Sequence, residues 1–176
     1  MARWGSLWLI GQQPRLVPET VTEQQHQRPW QIERAVLPQH TDHAGVMWHG
    51  SYLAWLEEAR VDALRQAGLA YSDLSERGLE LPVISLKIDY RQALLHGESV
   101  QLESWVLPQQ GVKLPWRSTF LKADGSVAAE AHVELVLVDL SEGPGHRRLL
   151  RKAPEDLRQA MERLRQGPGQ DSTASL

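Results

Sequence analysis

The sequence has 176 residues, of which 41% are hydrophobic and 23% are charged. A chain of this length buries one core but not two substantial ones, so we expect a single folded domain. The formal net charge of -3 offers no basic surface for nucleic acid or an anionic membrane, and the lack of cysteine excludes disulfides, thiolate nucleophiles and Cys-ligated zinc.

The first part of the chain lacks the period of either a helix or a strand. Residues 1–29 mix Gln, Pro, Glu and Thr, which predicts a flexible N-terminal extension. The apolar stretch near the start, Ser6 to Ile10, is far shorter than the roughly 20 residues that a spanning helix needs. We therefore expect no membrane insertion and a cytoplasmic location.

A strand, a polar loop and a long helix open the folded domain, which is predicted over residues 30–166. The residues from Gln31 to Leu37 suit a strand, and Pro38 ends it because proline cannot donate to the ladder. After the polar loop from His40 to Gly45, apolar residues recur at three- and four-residue steps, which predicts a helix stopping at Gly68. These apolar residues are Leu53, Leu56, Ala59, Ala63, Leu64 and Ala67.

Beyond Pro82 the apolar period changes to two, which is typical of strands. The alternating runs cover residues 84–90, 100–106, 112–120 and 129–137. With a hairpin signal at Asp124-Gly125, three or four consecutive strands of this kind predict an antiparallel meander. Pro115 predicts that its strand is an edge or carries a bulge. A final amphipathic helix is expected from about Pro154 to Gln166, followed by a disordered tail at residues 167–176.

This order of elements indicates the α+β class, with one long helix packed on an antiparallel sheet. A sheet wrapped around a central helix is the hotdog arrangement.

The polar loop and the start of the long helix carry the residues suited to chemistry. The segment holds a carboxylate at Asp42, a turn glycine at Gly45 and an imidazole at His49. The unpaired N–H groups and positive dipole end of a helix N-terminus can stabilise an oxyanion, while a nearby carboxylate acts as base or nucleophile. The pattern therefore indicates acyl transfer.

The pattern Thr-Asp-x-x-Gly-Val-x-x-His-x-x-Tyr from Thr41, followed by Glu-x-Ala-Arg from Glu57, resembles the 4-hydroxybenzoyl-CoA thioesterase family. The most similar branch is that of the Tol-Pal-associated acyl-CoA thioesterases, and the resemblance covers roughly residues 31–139. It implies a hotdog fold and hydrolysis of an acyl-CoA to a free acid and CoA, without metal or bound cofactor. It also implies that Asp42 is the catalytic carboxylate and that the backbone N–H at His49 polarises the thioester carbonyl.

The resemblance further implies a site at a dimer interface, with basic residues near the phosphates of CoA. We expect a homodimer or homotetramer, since a lone helix-on-sheet unit leaves a sheet edge unpaired. Tyr52 and Glu57 match the motif and are assigned to support of the helix, whereas Trp48 departs from the tyrosine common in the branch. The candidates for the phosphates, by composition alone, are Lys87, Arg91, Lys113 and Arg117.

Simpler interpretations of the same residues stay open. Asp42 alone is typical of a loop cap, and His49 alone of a structural histidine. His40, Asp42, His43 and His49 could be taken as metal ligands, and Glu57 or Glu58 could be the acid that other hotdog groups carry on the central helix.

Three alternative functions also stay open. They are a non-catalytic acyl-CoA-binding protein, a hydroxyacyl thioester dehydratase, and a 1,4-dihydroxy-2-naphthoyl-CoA hydrolase. In the last branch the position of His49 is commonly aromatic, so His49 argues against it.

Overall fold

The computed structural model describes residues 27–143 and 146–169. The predicted flexible extension at residues 1–29 and the predicted tail at residues 167–176 lie outside these ranges, apart from residues 27–29 and 167–169.

Strands and helices follow one another as the change in apolar period predicts. The strands of the described ranges are β1 (Trp30–Ala35), β2 (Leu79–Glu80), β3 (Val83–Tyr90), β4 (Ser99–Val106), β5 (Lys113–Lys122), β6 (Val127–Val136), β7 (Val138–Asp139) and β8 (Arg148–Leu149). The helices are α1 (His49–Gln66), α2 (Tyr71–Glu76) and α3 (Glu155–Gln166). The predicted C-terminal helix is confirmed, whereas α2 and the short strands β2, β7 and β8 were not predicted.

The main sheet is antiparallel and has the order β1-β4-β5-β6-β3. The predicted meander of three or four strands is confirmed with three, β4, β5 and β6, whereas β3 pairs with β6 instead of β4. Alternation of apolar residues specifies which face of a strand is buried, and leaves the choice of neighbouring strand open. As a result, β3 and β1 form the two edges of the sheet.

Helix α1 packs on one face of this sheet. Its spacing of three and four residues brings Tyr52, Trp55, Leu56, Ala59 and Leu64 onto a single buried face. They meet the inward residues of the strands, among them Leu102, Phe120 and Val133. Burial of each large side chain stabilises the fold by roughly 1.5–3 kcal/mol. The predicted long helix on an antiparallel sheet is confirmed.

Pro115 lies in β5, whose ladder with β4 ends at the pair Val106–Trp116, so on that side the strand is an edge at Pro115, as predicted, and it carries no bulge at this residue. The carbonyl of Pro115 accepts a hydrogen bond of 2.9 Å from the N–H of Leu107. In an antiparallel ladder the nitrogen and the carbonyl of one residue point to the same side. The nitrogen of Pro115 therefore points to the same side, just beyond Val106, the last residue of β4. The ladder has ended there, so the missing N–H of proline costs no ladder hydrogen bond.

Helix α3 covers the C-terminal end of α1. The indole N–H of Trp30 donates to the carbonyl of Leu164 at 2.8 Å, and Nε of Arg163 donates to the carbonyl of Ala67 at 3.0 Å. The second bond satisfies a carbonyl at the end of α1, where a cation is also favoured by the helix dipole. One end of α1 is thus closed by α3, and the other end adjoins the Asp42 loop.

Candidate active site

The loop that carries Asp42 is a tight turn between two short bridged segments. Thr41 and Met47 face each other across it, and the N–H of Asp42 donates to the carbonyl of Val46 at 2.8 Å. Gly45 has a φ of +75°, a conformation that only glycine adopts without strain. The predicted role of Gly45 in turning the backbone is confirmed by this geometry.

The carboxylate of Asp42 is exposed, and its two oxygens differ in their surroundings. Oδ1 accepts hydrogen bonds from the N–H groups of Ala44 at 2.9 Å and Val46 at 3.1 Å. Oδ2 accepts no hydrogen bond from the described residues. The simple loop-capping interpretation of Asp42 is therefore correct for one oxygen, and the other is open to a water molecule or a substrate.

Helix α1 begins directly after this loop, and no side chain within residues 27–143 and 146–169 caps it. Its N-cap is Trp48 in extended conformation, and the N–H of Ser51 donates to the carbonyl of Trp48 at 3.0 Å. The N–H groups of His49 and Gly50 have no acceptor among the described residues. Such N–H groups and the dipole of the helix together favour a negatively charged oxygen at this end.

His40 fixes the start of α1 to the preceding turn. Its carbonyl accepts both the N–H of Trp48 at 3.1 Å and the hydroxyl of Ser51 at 3.1 Å. Its Nδ1 accepts the N–H of Leu37 at 3.1 Å, and its ring meets the edge of the Trp55 ring with centroids 5.2 Å apart. His40 is thus held in place by structural contacts. From the sequence it was considered only as one of four metal-ligand candidates.

The Trp48 indole folds back over Gly50. A Cβ added at Gly50 would overlap the carbons of the indole ring, so the close packing requires glycine. The same indole meets the imidazole of His49 at a centroid distance of 5.2 Å and an angle of 76°. Trp48 is 44% exposed and forms one side of the helix N-terminus. The importance of Gly50 was missed in the sequence, where nothing distinguishes it from an ordinary helix glycine.

Asp42 and His49 lie in adjoining segments, as the motif predicts, but their side chains make no hydrogen bond to each other in the described residues. The imidazole of His49 is exposed and contacts Trp48. The feature of His49 that suits chemistry is its backbone N–H at the start of α1.

A second segment, from Leu94 to Glu98, holds the Asp42 loop in place. The N–H of Met47 donates to the carbonyl of Leu94 at 2.8 Å, and the N–H of His96 donates to the carbonyl of Gly45 at 3.0 Å. Glu98 accepts the N–H of Leu95 at 2.8 Å and pairs with Lys122 at 3.0 Å. The hydrogen bond from Leu95 is the main reason that the pKa of Glu98 is lowered, and Lys122 adds to it. Glu98 therefore supports the segment that holds the Asp42 loop in place.

Tyr52 lies behind the site and is 2% exposed. Its ring meets the rings of Tyr90 and Phe120 at centroid distances of 5.0 Å. Burial raises the pKa of Tyr52 from 10.0 to about 12, and the negative forms of Tyr90 and Glu98 add to this shift. Tyr52 therefore stays protonated at neutral pH, as expected of a residue that supports the helix.

The other carboxylates of the motif lie outside this loop, on the surface of α1. Glu58 pairs with Arg34 of β1 at 2.9 Å, and Glu57 is exposed. Within residues 27–143 and 146–169, no group of three or more His, Cys, Asp or Glu side chains is arranged to hold a metal ion. No helix in the same ranges is long and apolar enough to cross a bilayer.

The four basic candidates for CoA phosphates lie on or beside the sheet. Three of them pair with acids at 2.8 Å: Lys87 with Asp89, Arg91 with Glu130, and Lys113 with Glu134. The guanidinium of Arg117 lies 4.5 Å above the Trp105 ring. Arg117 differs from the other three, because it forms no ion pair with the described residues and its buried Nε has no hydrogen-bond partner among them.

Comparison with known proteins identifies the family. Residues 36–161 match the model of the thioesterase-like superfamily. The chain is 34% identical over 149 residues to sll0410 of Synechocystis sp., which is named as a candidate esterase, and the match covers 84% of this chain and 85% of the relative. It is 25% identical over 99 residues to the acyl-CoA thioester hydrolase YbgC of Escherichia coli, covering 56% of this chain and 74% of the relative.

A DHNA-CoA thioesterase from Staphylococcus aureus has the same fold, with a TM-score of 0.68 and 24% identity over 76% of this chain and 89% of the other. The family match spans well over half of the chain and includes the Asp42 loop and α1. It confirms the predicted hotdog fold and the predicted class of enzyme, a thioester hydrolase. The chain therefore belongs to the thioesterase-like superfamily.

Proposed function

We propose that this protein hydrolyses an acyl-CoA thioester to a free carboxylic acid and CoA, with Asp42 as its catalytic carboxylate. The observation that carries the proposal is the juxtaposition of two groups in one short segment. A carboxylate oxygen without a hydrogen bond from the described residues lies in the loop that leads directly to the unpaired N–H groups of His49 and Gly50.

In the proposed mechanism, the thioester oxygen accepts a hydrogen bond from the N–H of His49 at the start of α1. Negative charge develops on this oxygen when the carbonyl carbon is attacked, and the helix dipole stabilises it. Loss of one such donor typically costs about 10²–10³ in rate.

Asp42 acts in one of two ways. As a general base it takes a proton from water, whose oxygen bonds to the carbonyl carbon while the carbon–sulfur bond breaks. As a nucleophile it forms an acyl anhydride that water then hydrolyses. In both routes CoA leaves as a thiolate that takes up a proton.

We also propose that the working unit contains at least two copies. Ile84, Leu86 and Tyr90 on the edge strand β3 are 50%, 40% and 53% exposed. Leu86 and Tyr90 pair with the buried residues Val133 and Ala129, so they point to the face that α1 covers elsewhere. A second copy that pairs along β3 would bury this apolar face and bring a second subunit next to Tyr52.

The first experiment compares the wild-type protein with Asp42→Asn for CoA release from short, medium, long and aromatic acyl-CoAs. Asparagine keeps an oxygen that caps the loop but removes the charge, so we expect the fold to persist and the rate to fall by about 10²-fold or more. Asp124→Asn is the matched control, since Asp124 is also exposed and accepts the N–H of Ser126 at 2.9 Å. It should retain the wild-type rate.

The result also separates the alternatives. Binding of acyl-CoA without turnover would overturn the hydrolase in favour of a binding protein. Loss of water from a hydroxyacyl-CoA without CoA release, surviving in Asp42→Asn but lost in Glu57→Gln or Glu58→Gln, would favour a dehydratase with its acid on the helix.

The branch of the family and the acyl group of the substrate are also part of the proposal. The Tol-Pal-associated branch rests on the motif from Thr41 to Tyr52. Solved DHNA-CoA thioesterases share the fold at 24% and 21% identity, so 1,4-dihydroxy-2-naphthoyl-CoA belongs in the substrate panel. Preference for it over all other acyl-CoAs would replace the branch proposed here.

A further inference from the structure

A cavity of about 390 Å³ lies beneath α3, at the opposite end of α1 from the Asp42 loop. Its walls are buried apolar side chains from α1, the sheet and α3, among them Leu64, Leu114, Trp116, Leu135 and Leu164. This volume is within the range of small-molecule sites in proteins. The cavity is apolar enough to hold a hydrocarbon chain.

The cavity is separate from the proposed catalytic site. Leu64 follows His49 by 15 residues along α1, which corresponds to about 22 Å at 1.5 Å per residue. The core near the start and middle of α1 is filled by Tyr52, Trp55 and Phe120, each of which is at most 2% exposed. An acyl chain held at Asp42 would have to displace these rings to reach the cavity.

The rim of the cavity is cationic. It carries Arg151, Lys152, Arg158 and Arg165 against one acid, Glu155. Arg158 pairs with Glu155, and Arg165 pairs with Glu162. Arg151 and Lys152 are exposed and form no ion pair with the residues that the structure describes. Two cations therefore lie at the opening of an apolar cavity without an acidic partner in the described part of the chain.

We propose that this cavity binds a single-chain aliphatic carboxylate, with its hydrocarbon chain among the buried side chains and its carboxylate at Arg151 and Lys152. Burial of the chain supplies most of the binding, and the two cations select an anionic head group. This site is independent of the proposed hydrolysis.

Calorimetric titration of the full chain with dodecanoate, below its micellar concentration, tests the proposal. We expect one molecule bound per chain, and at least 10-fold weaker binding of dodecan-1-ol, which lacks the charge. Arg151→Glu with Lys152→Glu should weaken the binding of dodecanoate at least 10-fold. The control pair Arg28→Glu with Arg147→Glu changes the net charge equally at exposed residues that do not line the cavity, and should bind as the wild type does.

A second variant tests the hydrocarbon part of the site. Ala153 is partly buried at the cavity wall, and Ala153→Phe should fill the opening and abolish binding. The rate of acyl-CoA hydrolysis should be unchanged in the Arg151→Glu, Lys152→Glu protein, which also shows that it is folded.

Dodecanoate could also bind at the catalytic site as a reaction product, so the titration is repeated with saturating CoA and with Asp42→Asn. Binding that persists in both supports the separate cavity. Displacement of dodecanoate by CoA, or an unchanged affinity in either the charge-reversed pair or Ala153→Phe, would overturn the proposal.

Discussion

At the scale of single residues, Asp42 combines a structural and a proposed chemical role in one carboxylate. The two hydrogen bonds to Oδ1 fix the orientation of the side chain, so the second oxygen is also held in one orientation. The loop that holds it is fixed in turn by Gly45, Leu94 and His96. In the proposed mechanism, the carboxylate that caps the loop is therefore already oriented for its chemical role.

Gly50 offers a test of how the helix N-terminus is shaped. Gly→Ala in a helix usually stabilises a protein by up to about 1 kcal/mol. Here the added methyl group would overlap the far end of the Trp48 indole, which must shift, so we expect Gly50→Ala to stabilise the wild type less than it stabilises a Trp48→Ala protein. In a Trp48→Ala background the same change should stabilise. Urea unfolding of the four proteins measures the coupling, which should exceed about 0.5 kcal/mol.

Activity adds a second readout to this cycle. Displacement of the indole by Gly50→Ala should alter kcat/KM in the wild type and have no further effect after Trp48→Ala. Additive unfolding free energies would show that Trp48 and Gly50 do not interact in solution.

At the scale of elements, periodicity was sufficient to predict α1, β4, β6 and α3, because each has one buried face and a length that shows its period. Pairing of β3 with β6 could not be predicted, since both β4 and β6 are compatible with its alternation. Helix α2 and strands β2, β7 and β8 were missed because none is longer than six residues. Elements this short depend on tertiary contacts more than on their own pattern.

The candidate site was predicted from its motif only in part. The residue types and spacing from Thr41 to Tyr52 indicated the loop, the glycine turn and the helix start. The sequence could not reveal that Leu94 and His96 hold the loop, because these contacts join residues about 50 positions apart. The cavity beneath α3 was not foreseen for the same reason, as its walls come from elements distant along the chain.

The small sheet β2-β7-β8 contains the carboxylate of Asp139, whose hydrogen bonds predict a response of the fold to acid. Hydrogen bonds from Ser141, and then Arg148 at 2.6 Å, lower the pKa of Asp139 from 3.8 to about 2. A depressed pKa in the folded state means that ionised Asp139 stabilises the fold above pH 3.8, and that this stabilisation is lost as the pH falls toward about 2.

Thermal unfolding at several pH values between 6 and 2 checks this prediction. Asp139→Asn should lower the melting temperature near pH 6, and its difference from the wild type should shrink as the pH approaches 2. Arg148→Gln should keep part of the pH dependence, because the hydrogen bonds from Ser141 remain. Parallel curves for the wild type and Asp139→Asn would contradict the assignment.

At the scale of the whole molecule, the sheet is wider than the helix that covers it. Helix α1 packs mainly over β1 and β4, which leaves the inward side chains of β3 at the opposite edge partly exposed. Leu53 on α1 is also 41% exposed. Exposed apolar residues next to a strand edge are a typical site for association with a second chain. These residues adjoin the proposed catalytic site through the contact between Tyr90 and Tyr52.

The proposed assembly predicts that a charge on β3 separates the subunits. Light scattering after size exclusion should give the wild type at least twice the chain mass of 19.9 kDa, and Leu86→Lys should shift it toward a single chain. Leu149→Lys is the control, because Leu149 is similarly exposed, at 43% against 40%, but lies on β8. If the second subunit completes the site, the rate of acyl-CoA hydrolysis should fall as the measured mass approaches that of a single chain. The rate should recover at higher protein concentration. A Leu86→Lys protein that keeps the wild-type mass would show that β3 is not the interface.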